Sequence, residues 1–112
     1  MVTSRSRKYA WTCSWFTCAT AAVLSYSAAA SDTLIRSKAC LACHQIDRKV
    51  VGPSFQDIAA RHGDKPDARD VLARSIRNGS TGAWGRVPMP PNARISVEEA
   101  NKLAEWVLTQ KP

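Results

Sequence analysis

The run Cys40-Leu41-Ala42-Cys43-His44 places two thiols and an imidazole within five residues. Two cysteines separated by two residues and followed directly by a histidine form the attachment pattern of a c-type haem. Each thiol can add to one vinyl group of the same porphyrin, and the histidine then supplies an axial nitrogen to the iron. We therefore predict that Cys40 and Cys43 hold one covalent haem c and that His44 is an iron ligand.

Three other interpretations of these residues remain open. A thioredoxin-like redox pair has the same cysteine spacing, but it belongs to alternating strands and helices, which this sequence does not predict. A structural zinc site needs four ligands, and beyond the two cysteines residues 31–112 offer only His44 and His62. The third is a disulfide between Cys40 and Cys43, the ordinary state of two cysteines in an oxidising compartment.

The first thirty residues have the pattern of an export signal. Arg5, Arg7 and Lys8 form a basic start, residues 9–26 are mostly apolar, and Ala28-Ala29-Ala30 resembles a cleavage site. Threonines and serines interrupt the apolar stretch, which weakens the alternative of a membrane anchor. We predict that residues 1–30 are a cleaved signal peptide and that residues 31–112 form one periplasmic domain without stable membrane insertion.

The charge of the predicted domain is mildly basic. Residues 31–112 carry a net charge of +4, which is the +7 of the whole chain without Arg5, Arg7 and Lys8. The basic residues alternate with acidic ones and do not cluster, so the pattern argues against binding of nucleic acid. It favours redox proteins with acidic docking surfaces as partners.

The domain is predicted to be all-α, with four helices and no strand. A short domain of this length buries a small core, which a covalently held porphyrin would complete. The first helix is predicted to begin at Ser31 or Asp32, the second at Ser54 with Asp57 in its first turn, the third at Pro66-Asp67 and the fourth at a capping box of Ser96 and Glu99. The second is predicted to end near Arg61 and the third at Asn78-Gly79. The fourth is predicted to bury one stripe of residues: Val97, Ala100, Leu103, Ala104, Val107 and Leu108.

Residues 79–95 form a long segment with three glycines and three prolines. Met89, which stands between Pro88 and Pro90-Pro91, is the only methionine after the predicted signal peptide. A thioether is a soft, weak ligand that needs a restricted backbone to stay on iron, although methionine is most often a core filler. We predict that Met89 is the second axial ligand, because the only rival, His62, falls at the end of a helix and is expected to be solvated.

The predicted ligand pair determines the class of function. An iron ligated by His44 and Met89 has no open coordination position, and methionine raises its reduction potential. We therefore predict an electron carrier and not an enzyme. Two alternatives stay open: a haem c subunit of a larger oxidoreductase complex, and a peroxidase or ligand sensor, against which Met89 argues.

A family resemblance covers essentially all of residues 31–112. It rests on the stretches CLACHQID, KVVGPSFQDIAAR, IRNGSTGAWG, VPMPPNA and LAEWVLTQK, in this order. They resemble the short bacterial class I cytochromes c, in particular the periplasmic pseudomonad type that donates electrons to nitrite reductase in denitrification. The resemblance implies a small cytochrome c fold wrapped around one haem, and a carrier between respiratory donors and a terminal reductase or oxidase.

The resemblance also implies roles for single residues. The carbonyl of Pro53 would accept a hydrogen bond from the proximal histidine, and the side chain of Asn92 would contact the methionine sulfur. Trp84 would bond a haem propionate through its indole N–H, with a plain core aromatic as the alternative. Where the family commonly has an arginine near a propionate, this chain has Ser75, flanked by Arg74 and Arg77.

We expect a monomer that docks through an exposed haem edge. The apolar residues expected around this edge are Leu41, Val50, Val51, Val87 and Pro90. Arg48 and Lys49 are expected at its border. A small apolar patch with basic residues beside it is typical of a weak, rapidly released contact.

Overall fold

The computed structural model describes residues 21–112, so the basic start, Cys13 and Cys18 lie outside the described residues. Four α-helices dominate, as the sequence predicts. They are α1 (Ala21–Ser37), α2 (Phe55–His62), α3 (Ala68–Asn78) and α4 (Val97–Leu108). A 3-10 turn at Cys40–Ala42 follows α1, and two short strands, β1 (Ser80–Gly82) and β2 (Gly85–Met89), stand between α3 and α4.

The helix starts that rest on side-chain caps are confirmed. The hydroxyl of Ser54 accepts a hydrogen bond from the backbone N–H of Asp57 at 3.0 Å, which caps α2. On α4, Glu99 N–H donates to the Ser96 hydroxyl at 3.1 Å and Ser96 N–H donates to the Glu99 carboxylate at 2.9 Å. These bonds satisfy N–H groups that the first turn of a helix leaves without partners.

The first helix begins earlier than predicted. The sequence predicts a start at Ser31 or Asp32, whereas α1 already runs from Ala21. Alanine has the highest helix propensity of all residues, and Ala28-Ala29-Ala30 lies between the two points without a helix breaker. Cleavage of a signal peptide after Ala30 concerns processing of the chain and stays a prediction.

The core forms where α4 packs against α1, α2 and α3. Ala100, Leu103, Ala104 and Val107 of α4 are buried, as predicted, whereas Leu108 of the same predicted stripe is only half-buried. Val97 is 50% exposed and was wrongly included, because it is the first residue of the helix and projects beyond the packed turns. The other helices contribute Ile35, Phe55, Ile58 and Ala73 to this core.

A β-hairpin interrupts the segment that was predicted to contain no strand. Ser80 pairs with Met89 and Gly82 with Gly85 in antiparallel register, with an irregularity between them. Gly79, Gly82 and Gly85 have φ of 80°, 78° and 116°, values that favour glycine. Because the strands are short and rich in glycine and proline, they give no strand pattern in the sequence.

No helix within residues 21–112 has both the length and the hydropathy that a membrane span requires.

Candidate functional site

A cavity of about 370 Å³ lies against the helical core. Its walls come from the 3-10 turn, α2, α3, the hairpin and the proline segment after it. All seven residues predicted to form the site line this cavity: Cys40, Cys43, His44, Pro53, Trp84, Met89 and Asn92. Cys40 and Asn92, which are 52 residues apart in the chain, thus meet at one place.

The two cysteines stand at the 3-10 turn, after Ala39 in a left-handed conformation with φ 58°. Both are free thiols, with Cys43 exposed and Cys40 half-buried. Burial raises the pKa of the Cys40 thiol, and the neighbouring Cys43 adds to this effect. A redox pair depends on a thiol with a lowered pKa, so the environment of Cys40 does not favour the thioredoxin-like interpretation.

The zinc interpretation lacks a ligand set. In the described part of the chain, no three side chains of histidine, cysteine, aspartate or glutamate lie together in a way that could hold a metal ion. His44 and His62 both line the cavity, but they do not form such a group with the two cysteines.

His44 is held in one orientation and only 8% exposed. Its Nδ1–H donates a hydrogen bond of 2.7 Å to the carbonyl oxygen of Pro53, the contact that the family resemblance implies. Because a carbonyl only accepts, Nδ1 carries a proton, and in the neutral imidazole Nε2 is then the nitrogen that keeps its lone pair. The Phe55 ring stacks on the imidazole at 5.3 Å between centroids, and a Cβ at Gly52 would lie 2.5 Å from Cε1 of His44.

Met89 ends β2 and is half-buried in the cavity wall. Its backbone is fixed by a close approach, since a Cβ at Gly79 would lie 2.7 Å from the Met89 carbonyl oxygen and 3.0 Å from the Pro91 nitrogen. Three residues after Met89, Asn92 donates its backbone N–H to Ile76 of α3 at 3.2 Å. The hairpin and this bond together fix the methionine segment to α3.

Trp84 lies in the hairpin turn and is held by Arg61, a residue to which no sequence motif assigns a role. Arg61, on the last turn of α2, donates from Nη1 to the carbonyl oxygen of Ala83 at 2.6 Å. The Cζ atom of its guanidinium lies 4.4 Å from the centroid of the Trp84 ring, which is a cation–π contact. No spacing rule connects Arg61 with Ala83, 22 positions away, or with Trp84 beside it, so no sequence signal could have identified these contacts.

His62 was expected to be solvated, but it is half-buried and lines the cavity. Its Nδ1 atom is buried and has no hydrogen-bond partner within residues 21–112. Burial lowers the pKa of His62, and the charges of Lys65 and Arg61 lower it further. The expectation that His62 is solvated was wrong because the hairpin packs beside the last turn of α2 and partly covers His62.

The two arginines beside Ser75 lie away from the cavity. Ser75 lines it, with its hydroxyl donating to the Val71 carbonyl at 3.1 Å. Arg77 donates from Nε to the carbonyl oxygen of Ile95 at 3.1 Å, and Arg74 is exposed. Both border a separate depression between α3 and α4.

The model of the cytochrome c family matches residues 28–111. The chain belongs to this family. It is 49% identical to cytochrome c-552 of Nitrosomonas europaea over 89 residues, which cover 80% of this chain and 85% of that protein. It is 50% identical to cytochrome c-551 of Pseudomonas aeruginosa over 95 residues, which cover 83% of this chain and 90% of that protein.

The fold agrees with that of a solved relative. The crystal structure of wild-type Nitrosomonas europaea cytochrome c552 matches with a TM-score of 0.70 at 50% identity, covering 71% of this chain and 99% of that one. The predicted all-α cytochrome c fold is therefore confirmed, and so is the predicted class: a small cytochrome that carries electrons and is not an enzyme.

The cavity residues fit the covalent haem c that the family implies. Two free thiols stand on one turn, and the buried imidazole of His44 bonds Pro53 through Nδ1, which leaves Nε2 available as a ligand. The thioether of Met89 lies in the wall of the same cavity. The donor set is the one that thioether attachment and His/Met ligation need.

Proposed function

We propose that this cytochrome is a periplasmic one-electron carrier whose haem iron is ligated by His44 and Met89. The observation that carries the proposal is the orientation of His44, whose hydrogen bond to Pro53 uses Nδ1 and leaves Nε2 as the nitrogen that can bind iron, in a cavity that Met89 also lines. The bound haem supplies a one-electron iron couple. Cys40 and Cys43 would hold its ring. Asn92 would contact the Met89 sulfur, and Trp84 would bond a haem propionate.

The ligand pair supports a carrier because it closes both axial positions. The ring of Phe55 and the carbonyl of Pro53 hold the His44 imidazole in one orientation. The close approach of Gly79 and the neighbouring prolines restrict the Met89 backbone. A site that changes little between oxidation states needs little reorganisation to pass an electron. The physiological acceptor that we propose is a terminal reductase or oxidase, with nitrite reductase favoured by the resemblance of the whole domain to the pseudomonad carriers.

The docking surface that we propose consists of Leu41, Val50, Val51, Val87 and Pro90, and we call it the apolar rim. Val50, Val51 and Val87 are 52%, 49% and 63% exposed, and Pro90 is exposed as well. Val51, Val87 and Pro90 also line the cavity, so the rim borders the predicted haem edge. Arg48 and Lys49, both exposed, lie directly before Val50 in the chain.

The docking proposal is tested by stopped-flow electron transfer to a purified nitrite reductase over a range of ionic strengths. We expect Lys49→Glu to slow association and to weaken its salt dependence, because charges at the edge of an interface act mainly on the association rate. Lys102→Glu, which makes the same charge change on α4, is the matched control and should have a smaller effect. Equal effects of the two variants would contradict docking at the rim.

A second variant tests the apolar part of the same surface. Val87→Asp places an unpaired charge in the centre of the proposed contact, so it should weaken the complex at every salt concentration. If Val87→Asp and Lys49→Glu both leave the rates unchanged, the carrier docks through another surface or serves in a fixed complex.

The proposed location and state of assembly have their own test. We expect the protein purified from the periplasm to begin at Ser31, to carry one haem and to behave as a monomer in sedimentation. A first residue upstream of Ala28, or stable copurification with an oxidoreductase, would favour the alternatives of a retained anchor or a subunit of a larger complex.

A further inference from the structure

Arg61 is a surface residue of α2 that makes two directed contacts with the hairpin. Its Nη1–H donates to the Ala83 carbonyl oxygen at 2.6 Å, and its guanidinium covers the Trp84 ring at 4.4 Å. Ala83 and Trp84 both line the cavity. A guanidinium has five N–H donors in a planar fork, so most of its donors are left after the bond to Ala83.

The charge of Arg61 is not compensated by a carboxylate. No aspartate or glutamate within residues 21–112 forms an ion pair with it. Lys38, which lines the cavity near the cysteines, forms an ion pair with Glu99 at 3.3 Å. Arg61 is therefore a cation without a carboxylate partner in the described part of the chain. It does not itself line the cavity, but it contacts Ala83 and Trp84, which do, and the expected occupant carries two carboxylates.

Trp84 has a hydrogen-bond donor available for a ligand. Its indole N–H has no hydrogen-bond partner among the described residues, whereas the indole of Trp106 donates to Asp32 at 2.8 Å. An indole N–H usually finds a hydrogen-bond partner when it is buried, as it would be against a bound haem. The side chain at Ser75 brings no charge to the cavity, and Arg74 and Arg77 border another depression.

We propose that Arg61 supplies the positive charge that a haem propionate requires at this wall of the cavity, and that it positions Trp84 to bond that propionate. Arg61 acts as a positioning residue for Trp84 and electrostatically on the carboxylate. The inference rests on the covalent haem of the proposed function, and it is independent of the Met89 ligand and of the redox partner.

The expected effect on the reduction potential has a definite sign. A nearby positive charge favours the ferrous haem, which carries one positive charge less than the ferric form. It also favours the ionised propionate and so lowers the propionate pKa in both oxidation states. Removal of the guanidinium should therefore lower the potential and move its pH-dependent segment to higher pH.

Other titratable groups surround Arg61 and must be separated from its effect. His62 follows it on α2, and Lys65 and Asp67 lie in the next turn, where they act on the pKa of His62. Lys111 approaches Gly63 from the C-terminus. Of these side chains, the His62 imidazole has its ordinary pKa nearest to neutrality, so its titration must be removed before an inflection is assigned to the propionate.

The test measures the midpoint potential of the haem-loaded cytochrome from pH 4.5 to 9, together with exchange of the Trp84 indole N–H in the reduced state. The variants are Arg61→Gln and Arg61→Lys, each also made in the His62→Gln background. Arg74→Gln removes the same charge away from the cavity and is the matched control. Arg61 and Arg74 are both exposed, so neither substitution threatens folding.

We expect Arg61→Gln to lower the reduction potential and to speed exchange of the Trp84 indole N–H several-fold. It should also raise the pH of the inflection, by only roughly one unit because solvent partly screens the site. Arg61→Lys should keep the inflection near that of wild type. The proposal is overturned if Arg61→Gln leaves the pH profile unchanged, if Arg61→Lys or Arg74→Gln shifts it as far, or if His62→Gln alone abolishes the inflection. Failure of the proposed Met89 ligation would appear separately, as the absence of the sulfur-to-iron band from the near-infrared spectrum of the wild-type protein.

Discussion

The Nδ1–H of His44 donates to the carbonyl oxygen of Pro53 across 2.7 Å, and this bond fixes which imidazole nitrogen is free. A histidine that donates its second ring N–H to a carbonyl is oriented and made more basic as a ligand. The bond is possible because Gly52 lets the chain pass directly over the ring, where any side chain would meet Cε1. Gly52 thus sets the orientation of His44 as much as Pro53 does.

Gly52→Ala is predicted to displace His44. The added Cβ would lie 2.5 Å from Cε1 and 2.8 Å from Nδ1 of the imidazole, and overpacking of this kind typically lowers the free energy of unfolding by about 1 to 3 kcal/mol. Urea unfolding and the NMR shifts of the His44 ring measure the effect. Gly82→Ala is the control, since it meets no atom within 4 Å: it should strain the backbone and leave the His44 shifts unchanged. Unaltered His44 shifts in Gly52→Ala would contradict the argument.

Covalent attachment is predicted to depend on both cysteines. Replacing Cys40 and Cys43 together with alanine should leave haem that acidified organic solvent extracts, whereas the wild-type protein should retain it. Each single variant should mature in lower yield, because one thioether no longer fixes the ring against His44. Measurement of haem in the solvent and protein phases decides the matter. Extraction from wild type would show that the thiols do not bond the porphyrin.

Much of the fold could be predicted from the sequence because its signals are local. Ser54 with Asp57, and Ser96 with Glu99, are capping patterns within four residues, and the structure forms both. The cysteine and histidine motif is equally local. Met89 could be proposed as the partner of His44, 45 residues away, because it is the only methionine after residue 30 and stands among prolines. The roles of Pro53, Asn92 and Trp84 could be proposed only through the family resemblance.

The features that the sequence did not predict depend on tertiary contacts. The hairpin of β1 and β2 forms from residues with low strand propensity. The partial burial of His62 and the contact between Arg61 and Trp84 both arise where this hairpin meets the end of α2. The exposure of Val97 follows from its place at the first turn of α4, which periodicity alone does not reveal.

Acid stability is predicted to depend on Glu99. Hydrogen bonding from the Ser96 backbone lowers the pKa of Glu99, with further lowering by Lys38. Because the folded pKa lies below the unfolded one, the stabilisation is present above the ordinary glutamate range and is lost as the pH falls through the folded pKa. Glu99→Gln should therefore flatten the dependence of unfolding free energy on pH between about 5 and 3.

Urea titrations of the haem-loaded protein at several pH values provide this measurement. Asp47→Asn is the control, because Asp47 is exposed and has no hydrogen bond or ion pair within residues 21–112. It should leave the slope close to that of wild type. A slope that Glu99→Gln does not change would mean that the capping box contributes nothing to acid unfolding.

His44 and Met89 are proposed to close both axial positions of a covalent haem. The near-infrared spectrum of the ferric protein tests this ligation, with carbon monoxide added to the reduced protein in parallel. We expect the weak sulfur-to-iron band and no uptake of carbon monoxide in wild type, with loss of the band and ready uptake in Met89→Ala. A wild-type protein that lacks the band and binds carbon monoxide readily would show that Met89 is not an iron ligand and that one axial position is open.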